Sequence, residues 1–467
     1  MLRVTVLSGL GHTIAVVVAL LVYTLVTRAG HQRRHPASAI GWVLGMVTFP
    51  YLFLPLFLVF GPRKAVRPPA HAVLPPTGQR RSTVPPQVPG WAGQLLASME
   101  LDPAQPNAEV VFHEDGLQAL QQLLQLIEQA QRSLDVCTYV FADDVVGRQI
   151  GTALQQAAQR GVKVRLLLDG VGCWRLLPMR LRQLRRSGVL VRRFMVPMLQ
   201  PIRGGSNLRN HRKLAVADGV HVWSGGRNLA DEYFLPSSAG HPAWVDLSFN
   251  VQGALAGVVA AQFEADWRAA RGRRRPMWLS PAMALGGGDQ GWAQWLPSGP
   301  DHADDTLHAL YLASAFHAQT SITLVSPYFV PDDALLEAWC LACRRGVQLR
   351  VVVPQCSNHR LADWARERAL RALVLAGAQV YCSPHMVHAK VVVVDDRMAL
   401  CGSANLDGRS LFLNYEAMTA FYSAREIAWL QHWCGQQMAE STTYAYRAPG
   451  WWRDVGEGLV RGVAFQL

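Results

Sequence analysis

The sequence predicts an α/β fold in which two tandem βαβ domains of similar build, packed as layered sandwiches in a pseudo-twofold arrangement, follow an N-terminal transmembrane helical hairpin. Three observations predict it. Two long apolar segments open the chain, strand and helix signals alternate from about residue 109 onward, and the polar pattern His-x-Lys-x-x-x-x-Asp occurs once in each half.

The first apolar segment runs from Thr5 to Thr27 and the second from Ala37 to Phe60. Each exceeds the roughly 20 residues that carry a helix across a bilayer of about 30 Å. A cleaved signal peptide would account for the first segment alone, not for a second that follows so soon. Residues 1–61 therefore read as a membrane hairpin of two transmembrane helices. Pro50 and Pro55 would kink the second span or make it re-entrant. Arg28, Arg33 and Arg34 precede the second span, and Arg63, Lys64 and Arg67 follow it, so the distribution of positive charge does not orient the hairpin.

Residues 62–108 read as a Pro-rich, semi-extended linker, with Pro68-Pro69, Pro75-Pro76 and Pro85-Pro86 and no helical period. Residues 109–275 form the first domain and 276–467 the second. In the first, "SLDVCTYVF" reads as a buried strand, "VVGRQIGTALQQAAQRG" as an amphipathic helix closed by Gly161, and "VKVRLLLDG" as another strand. That rhythm implies a largely parallel sheet covered by helices. It returns at "SITLVSPYFVPDDALLEAWCLACRRGVQLRVVVP", where Arg345-Gly346-Val347 echoes Arg160-Gly161-Val162 and Asp332-Asp333 echoes Asp143-Asp144.

The net charge is +12, although only 17% of residues are charged. A basic surface of this kind suits phosphate groups, whether of lipid or of nucleic acid. The eight cysteines form no metal-binding pair of pairs, and Cys340-x-x-Cys343 has no companion, so buried reduced thiols are expected, with no metal and no cofactor. "LLPMRLRQLRRSG" followed by "FMVPMLQPI" fits either a bilayer-surface helix or a sheet-covering helix with solvated arginines. "RAARGRRRP" reads as a solvated basic loop.

Lysine is rare in this chain: Lys64, Lys163, Lys213 and Lys390 are all there are, and two of these lie in the repeated pattern. His211, Lys213 and Asp218 make one copy; His388, Lys390 and Asp395 make the other. A spacing of two on a strand puts each histidine and its lysine on one face, whereas Asp218 has the opposite parity and falls in an Asp-Gly turn. Asn228 and Asn405 follow their histidines at equal distance, behind Gly225-Gly226 and Gly402-Ser403, small residues that admit a close ligand. Two histidines, two lysines and two amides around one pocket fit a phosphodiester. The ammonium groups hold the non-bridging oxygens, one imidazole attacks phosphorus, and the other protonates the departing alkoxide and later deprotonates the incoming alcohol. Each imidazole needs a carboxylate to set its tautomer, and Glu416 and Asp246 are the candidates.

These residues resemble the phospholipase D superfamily. "NLRNHRKLAVADG", "SGGRNLADEYF", "SPYFVPDDALL" and "GSANLDGRSLFLNYE" are similar to the bacterial cardiolipin synthases within it. The resemblance implies phosphatidyl transfer from one phosphatidylglycerol to the glycerol hydroxyl of another, through phosphohistidine and with release of glycerol. It implies a multi-pass enzyme of the bacterial inner (cytoplasmic) membrane acting on phospholipid, and no nucleic-acid partner. It implies His211, Lys213, Asp218, His388, Lys390 and Asp395 as the catalytic set and Asn228, Asn405, Ser403 and Gly226 as substrate-binding. The superfamily's usage makes His211 the nucleophile; the residues themselves do not distinguish it from His388. Gly226 stands where the second copy has Ser403, so a hydroxyl contact to phosphate would be one-sided. A nuclease, a phospholipase D-type hydrolase and a non-catalytic membrane scaffold are the competing readings.

Overall fold

The structure, a computed structural model, describes residues 2–29, 36–61, 85–174, 176–195, 207–237, 240–270, 291–302 and 304–463. Helix α1 (Leu2–Ala29) contains the one stretch among these, Leu10–Thr27, that is long and apolar enough to cross a membrane. The second apolar segment is not one continuous helix. It breaks at Phe49 into α2 (Pro36–Thr48) and α3 (Pro50–Phe60). Pro50 has no N–H to donate and disfavours helical backbone at the preceding residue; Phe49 accordingly adopts φ −136° and ψ 64°. The two helices fold back on each other, bringing Trp42 and Phe57 to 5.4 Å between ring centroids, while Tyr23 of α1 meets Phe57 at 5.2 Å. At ~1.5 Å per residue neither short helix covers the ~30 Å of a hydrocarbon core. Arg33, Arg34, Arg63, Lys64 and Arg67 lie outside the described residues.

Of the expected linker, residues 62–84 lie outside the described residues, and part of the remainder is helical. Helix α4 (Gly90–Ser98) buries Ala92 and Leu96, and Trp91 stacks on His317 at 5.0 Å. Its apolar stripe Trp91, Leu95 and Leu96 packs on the second half, which the surrounding prolines conceal in the sequence.

The first half runs β1 (Gln105–His113), α5 (Gly116–Gln129), β2 (Ser133–Thr138), α6 (Val145–Gln159), β3 (Lys163–Asp169), α7 (Pro178–Arg186), β4 (Leu190–Phe194), β5 (Leu214–Ala217), β6 (His221–Gly225), β7 (Ser248–Gly253) and α8 (Leu255–Ala269). The second runs β8 (Gly291–Ser298), α9 (Thr306–His317), β9 (Ser321–Val325), β10 (Phe329–Val330), α10 (Asp333–Arg344), β11 (Gln348–Pro354), α11 (Arg360–Leu375), β12 (Gln379–Ser383), β13 (Val391–Val394), β14 (Met398–Gly402), β15 (Leu406–Asp407), α12 (Gly408–Phe412), β16 (Glu416–Phe421), α13 (Ala424–Ala439), β17 (Thr442–Thr443) and α14 (Trp451–Val463). The boundary expected after residue 275 lies outside the described residues, as does most of "RAARGRRRP".

Local chemistry sets the element ends. Asp115 and Asp144 cap α5 and α6 by accepting the Gln118 and Gly147 amides at 2.8 Å each. Gly161 and Gly346 close α6 and α10 with the same left-handed φ of +93°, so the sequence echo is a repeat of backbone geometry. Helix α7 buries Leu181 and Leu184 and leaves its arginines outward, as a sheet-covering helix does; of "FMVPMLQPI" only Phe194 and Met195 are described.

The sheet departs from the expected parallel character. Strands β2, β3 and β4 are parallel, as are β9, β11 and β12, but the other pairings in the main sheet are antiparallel. The Asp218-Gly219 turn, with φ of +56° and +72°, makes β5–β6 a hairpin, and β13–β14 repeats it at Asp395. Both halves share one 15-stranded sheet, ordered β17-β12-β11-β9-β13-β14-β16-β8-β1-β7-β6-β5-β2-β3-β4. Its midpoint is the antiparallel β1–β8 seam, and the strand order on one side mirrors that on the other. A core spanning the seam, with Phe112 and Phe249 against Phe421 and Trp433, makes the halves one body.

Candidate active site

The two motif copies meet across this seam. Each begins just before a short buried strand, β5 or β13, where the chain leaves its own half and pairs with the other. His211 N–H donates to the Tyr415 carbonyl at 2.8 Å and Tyr415 N–H to the Arg209 carbonyl at 2.8 Å. The mirror-image contacts are His388 N–H to the Val245 carbonyl at 2.7 Å and Val245 N–H to the Met386 carbonyl at 3.0 Å. These bridges deliver the residues that follow Tyr415 and Val245, namely Glu416 and Asp246, to the opposite imidazoles.

The result is a reciprocal exchange. His211 Nδ1 lies 3.0 Å from Glu416 of the second half, and His388 Nδ1 lies 2.7 Å from Asp246 of the first. A carboxylate at Nδ1 holds the proton there and leaves the Nε2 lone pair free. Both carboxylates are fully buried. Glu416 also accepts Ser403 Oγ at 2.6 Å and Asn414 Nδ2 at 3.2 Å, while Asp246 accepts the Leu247 amide at 2.8 Å.

Lys213 and Lys390 are 1% exposed. The Lys213 ammonium donates to the His211 carbonyl at 2.7 Å, and Lys390 Nζ lies against the His388 ring, 2.8 Å from Nδ1 and 3.0 Å from Nε2. Burial pulls Lys213 down to about 8 and Lys390 to about 7, in spite of Glu416 and Asp246 nearby. Burial likewise lowers His211 to about 4 and His388 to about 3, and each imidazole also feels the ammonium of the other half. At these values both imidazoles are neutral near pH 7. Aromatic rings fix their planes: Tyr139 packs edge-on to His211 at 4.7 Å, and Tyr233 and Trp244 flank His388 at 5.0 and 5.5 Å.

Asp218 and Asp395 do not touch this group; they brace the hairpins that carry it. They sit at the far ends of β5 and β13, roughly 3.3 Å per residue away along the strand. The Asp218 carboxylate accepts the amides of Gln131, Arg132 and Ser133 at 2.9, 2.7 and 2.8 Å; Asp395 accepts those of Gln319, Thr320 and Ser321 at 3.0, 2.8 and 3.0 Å. Each ties the start of the neighbouring strand, β2 or β9, to the motif hairpin. Three amides hold each carboxyl below its usual range although partial burial opposes them. A groove of about 950 Å³ beside Asp218 and His221 lies at this remote end and contains none of the imidazoles or ammoniums.

The small-residue positions make contacts within the protein. The Ser403 hydroxyl donates to Glu416 at 2.6 Å and accepts the Ala417 amide at 3.0 Å, so it braces the carboxylate. At Gly226 a Cβ would stand 2.1 Å from Asp246 Oδ1; the glycine makes room for the carboxylate, not for a ligand. Asn228 is engaged at both ends, accepting the Val140 amide at 3.2 Å and donating to the Tyr233 hydroxyl at 2.8 Å. The buried Asn405 Oδ1 has no hydrogen-bond partner among the described residues.

Sequence reasoning missed Arg212, which lies between His211 and Lys213 and is wholly buried. It bonds Asp266 at 2.6 Å, Asp301 at 3.0 Å and the Glu416 carbonyl at 3.0 Å, joining α8, the segment after β8 and β16. Arg227 was missed too; it is buried against the carbonyls of Tyr233, at 3.1 Å, and His113, at 2.9 Å. Aligning the two copies would have flagged both, because the second copy has Ala389 and Ala404 at these places.

Residues 123–267 and 312–438 match the family model described as cardiolipin synthase, PLD-like domain. The chain is 31% identical over 437 residues to a cardiolipin synthase of Alkalihalophilus pseudofirmus, covering 90% of this chain and 86% of that one. It is 31% identical over 432 residues to cardiolipin synthase A of Pseudomonas entomophila, covering 88% and 86%. Among solved structures, the phosphatidylserine synthase of Haemophilus influenzae superposes with a TM-score of 0.63 over 80% of this chain and 100% of that one; at 14% identity this likeness concerns the fold alone.

Proposed function

Because the chain belongs to the cardiolipin synthase family with PLD-like domains, we propose that it makes cardiolipin by transferring a phosphatidyl group from one phosphatidylglycerol to another with release of glycerol. His211 is the nucleophile in this scheme, as the family assigns it, and His388 is the acid and base. His211 Nε2 attacks phosphorus, the P–O bond to the glycerol headgroup breaks, and His388 gives its Nε2 proton to the departing alkoxide. The headgroup hydroxyl of a second phosphatidylglycerol then loses its proton to His388 and attacks the phosphohistidine. The P–N bond breaks and cardiolipin leaves.

Charge explains how imidazoles with such lowered proton affinity take up this work. A phosphodiester brings a negative charge between two ammoniums whose affinity for protons burial has weakened. It restores their charge and raises the proton affinity of both imidazoles. One then carries the proton that the leaving group needs. The lysines hold the non-bridging oxygens, and Asn405 offers its unpartnered amide oxygen to a substrate hydroxyl.

The observation that carries this reading is the exchanged pair of contacts, His211 with Glu416 and His388 with Asp246, which makes one two-histidine site out of two halves. Helix α1 anchors the enzyme in the bacterial cytoplasmic membrane, with α2 and α3 folded beside it. The test is incubation of the purified protein in vesicles with labelled phosphatidylglycerol. Cardiolipin and glycerol in equal amounts are expected. Phosphatidic acid alone would make the protein a hydrolase, and cleavage of added single-stranded DNA with inert lipid would make it a nuclease.

A further inference from the structure

Helix α14 is docked the wrong way round for a helix facing water. A buried carboxylate turns inward: Glu457 is 2% exposed and forms a two-pronged ion pair with Arg371 of α11, and the half-exposed Arg453 bonds both Glu457, at 2.9 Å, and Glu367 of α11, at 3.5 Å. Its apolar side turns outward. Trp451 and Trp452 are 67% and 79% exposed, and Val455, one turn on, is exposed as well. A soluble helix buries its apolar stripe and solvates its charges; α14 instead exposes Trp451, Trp452 and Val455 and buries Glu457, although Arg453 and Asp454 stay exposed.

The neighbouring face of α11 continues this surface. Arg360, Leu361, Trp364 and Arg368 fall within about 100° of one another on a helix turning ~100° per residue. All four are exposed, and Trp364 lies against α14 beside Gly456. The strip leads to the active site. His359, at the start of α11, packs edge-on to Tyr328 at 5.2 Å, and Tyr328 lies within electrostatic reach of Tyr139, the ring that lies on His211. Val460 of α14, Ala365 of α11 and Val330 of β10 form a small apolar cluster beneath it.

We propose that α14, with the outward face of α11, is an interfacial element that seats the mouth of the active site on the surface of an anionic phospholipid bilayer. Tryptophan favours the boundary between headgroups and acyl chains. The exposed Arg360, Arg368 and Arg447 complement anionic headgroups. A lipid substrate enters from that boundary, so the inference rests on the function proposed above.

Two measurements on the full-length chain in vesicles of phosphatidylglycerol and phosphatidylcholine test it. First, Val455 is replaced by a benzophenone photo-crosslinking amino acid; an adduct of phospholipid mass is expected, and a cross-link to a second copy, to another protein or to nothing overturns the proposal. Second, Trp451→Asp with Trp452→Asp should lower the rate on vesicle phosphatidylglycerol by about tenfold, while the rate on short-chain phosphatidylglycerol dispersed as monomers stays within about twofold. Equal loss on both substrates, or loss on neither, also overturns it. Failure of the wild type to make cardiolipin would instead sink the functional reading, because the cross-link needs no turnover.

Discussion

The two halves of the site answer the same demand with different residues. Where the first copy reads His-Arg-Lys and Gly-Gly-Arg-Asn, the second reads His-Ala-Lys and Gly-Ser-Ala-Asn. The imidazole, ammonium and amide positions are equal; the residues between them are not. The first half buries two guanidiniums beneath its motif, and the second packs alanine there. The short Asp246 approaches past a glycine, while the longer Glu416 is braced by the Ser403 hydroxyl. Repetition has preserved the groups that would face phosphorus, and the scaffolding behind each has diverged. A symmetric set of groups in asymmetric surroundings suits a reaction in which one histidine bonds to phosphorus and the other carries the proton.

The strongest way to break this comparison is to remove either imidazole. His211→Ala and His388→Ala should each lower kcat/KM by about 10³-fold or more with the thermal unfolding midpoint nearly unchanged. Rapid quenching with labelled phosphatidylglycerol should trap phosphate on wild-type His211 and none on His388. Trapping on His388 would exchange the two roles.

The second test uses Arg212, which has no counterpart in the other half. Arg212→Met leaves the buried Asp266 without its cation, removes a partner of the solvent-reaching Asp301 and frees the Glu416 carbonyl. Breaking a buried ion pair from one side costs about 3–5 kcal/mol. The free energy of chemical unfolding should fall by that amount, with activity following the folded fraction. A variant as stable as the wild type would show that the first half needs its arginine no more than the second.

Proton linkage distinguishes the halves more finely. Both imidazoles have folded values far below the ordinary 6.5, so the stability they contribute is complete above pH 6.5 and drains away as pH falls towards about 4 for His211 and about 3 for His388. In this window the unfolded chain binds protons that the folded site refuses. The unfolding midpoint should drop between pH 6.5 and 4, and should drop less in a His211→Gln, His388→Gln double variant. Equal slopes would mean that carboxylates elsewhere govern the acid limit.

The sequence disclosed the parts that repeat. The doubled motif, the paired asparagines, Glu416 and Asp246, and the strand-helix-strand rhythm around Val145–Gln159 all have counterparts, and a recurring pattern is visible without coordinates. What it concealed depends on where distant surfaces meet. Arg212 has the parity of an outward residue, and only the arrival of Asp266 from α8 and Asp301 from the other half makes that face interior. The β1–β8 seam joins edges that no local signal marks. The second apolar segment has the length of a membrane span, but Pro50 divides it. Asp218 and Asp395 belong to the motif by spacing, although their carboxylates bind backbone amides at the far ends of the strands.

The finest comparison is an exchange at one matched position. Gly226→Ser puts a Cβ 2.1 Å from Asp246 Oδ1 and must push the carboxylate from His388; loss of its tautomer control should cost about 10²-fold in kcat. Ser403→Gly removes one hydrogen bond from Glu416, which keeps His211 and Asn414, and one from the Ala417 amide, which lies outside the site. One such bond is worth about 1 kcal/mol, so kcat should fall about fivefold to tenfold, with KM unchanged because the hydroxyl touches no substrate. Vesicle assays of both variants over a range of phosphatidylglycerol content separate kcat from KM. If Ser403→Gly instead raised KM and left kcat alone, the hydroxyl would be a phosphate ligand in the working enzyme, and the divergence between the halves would reach the substrate itself.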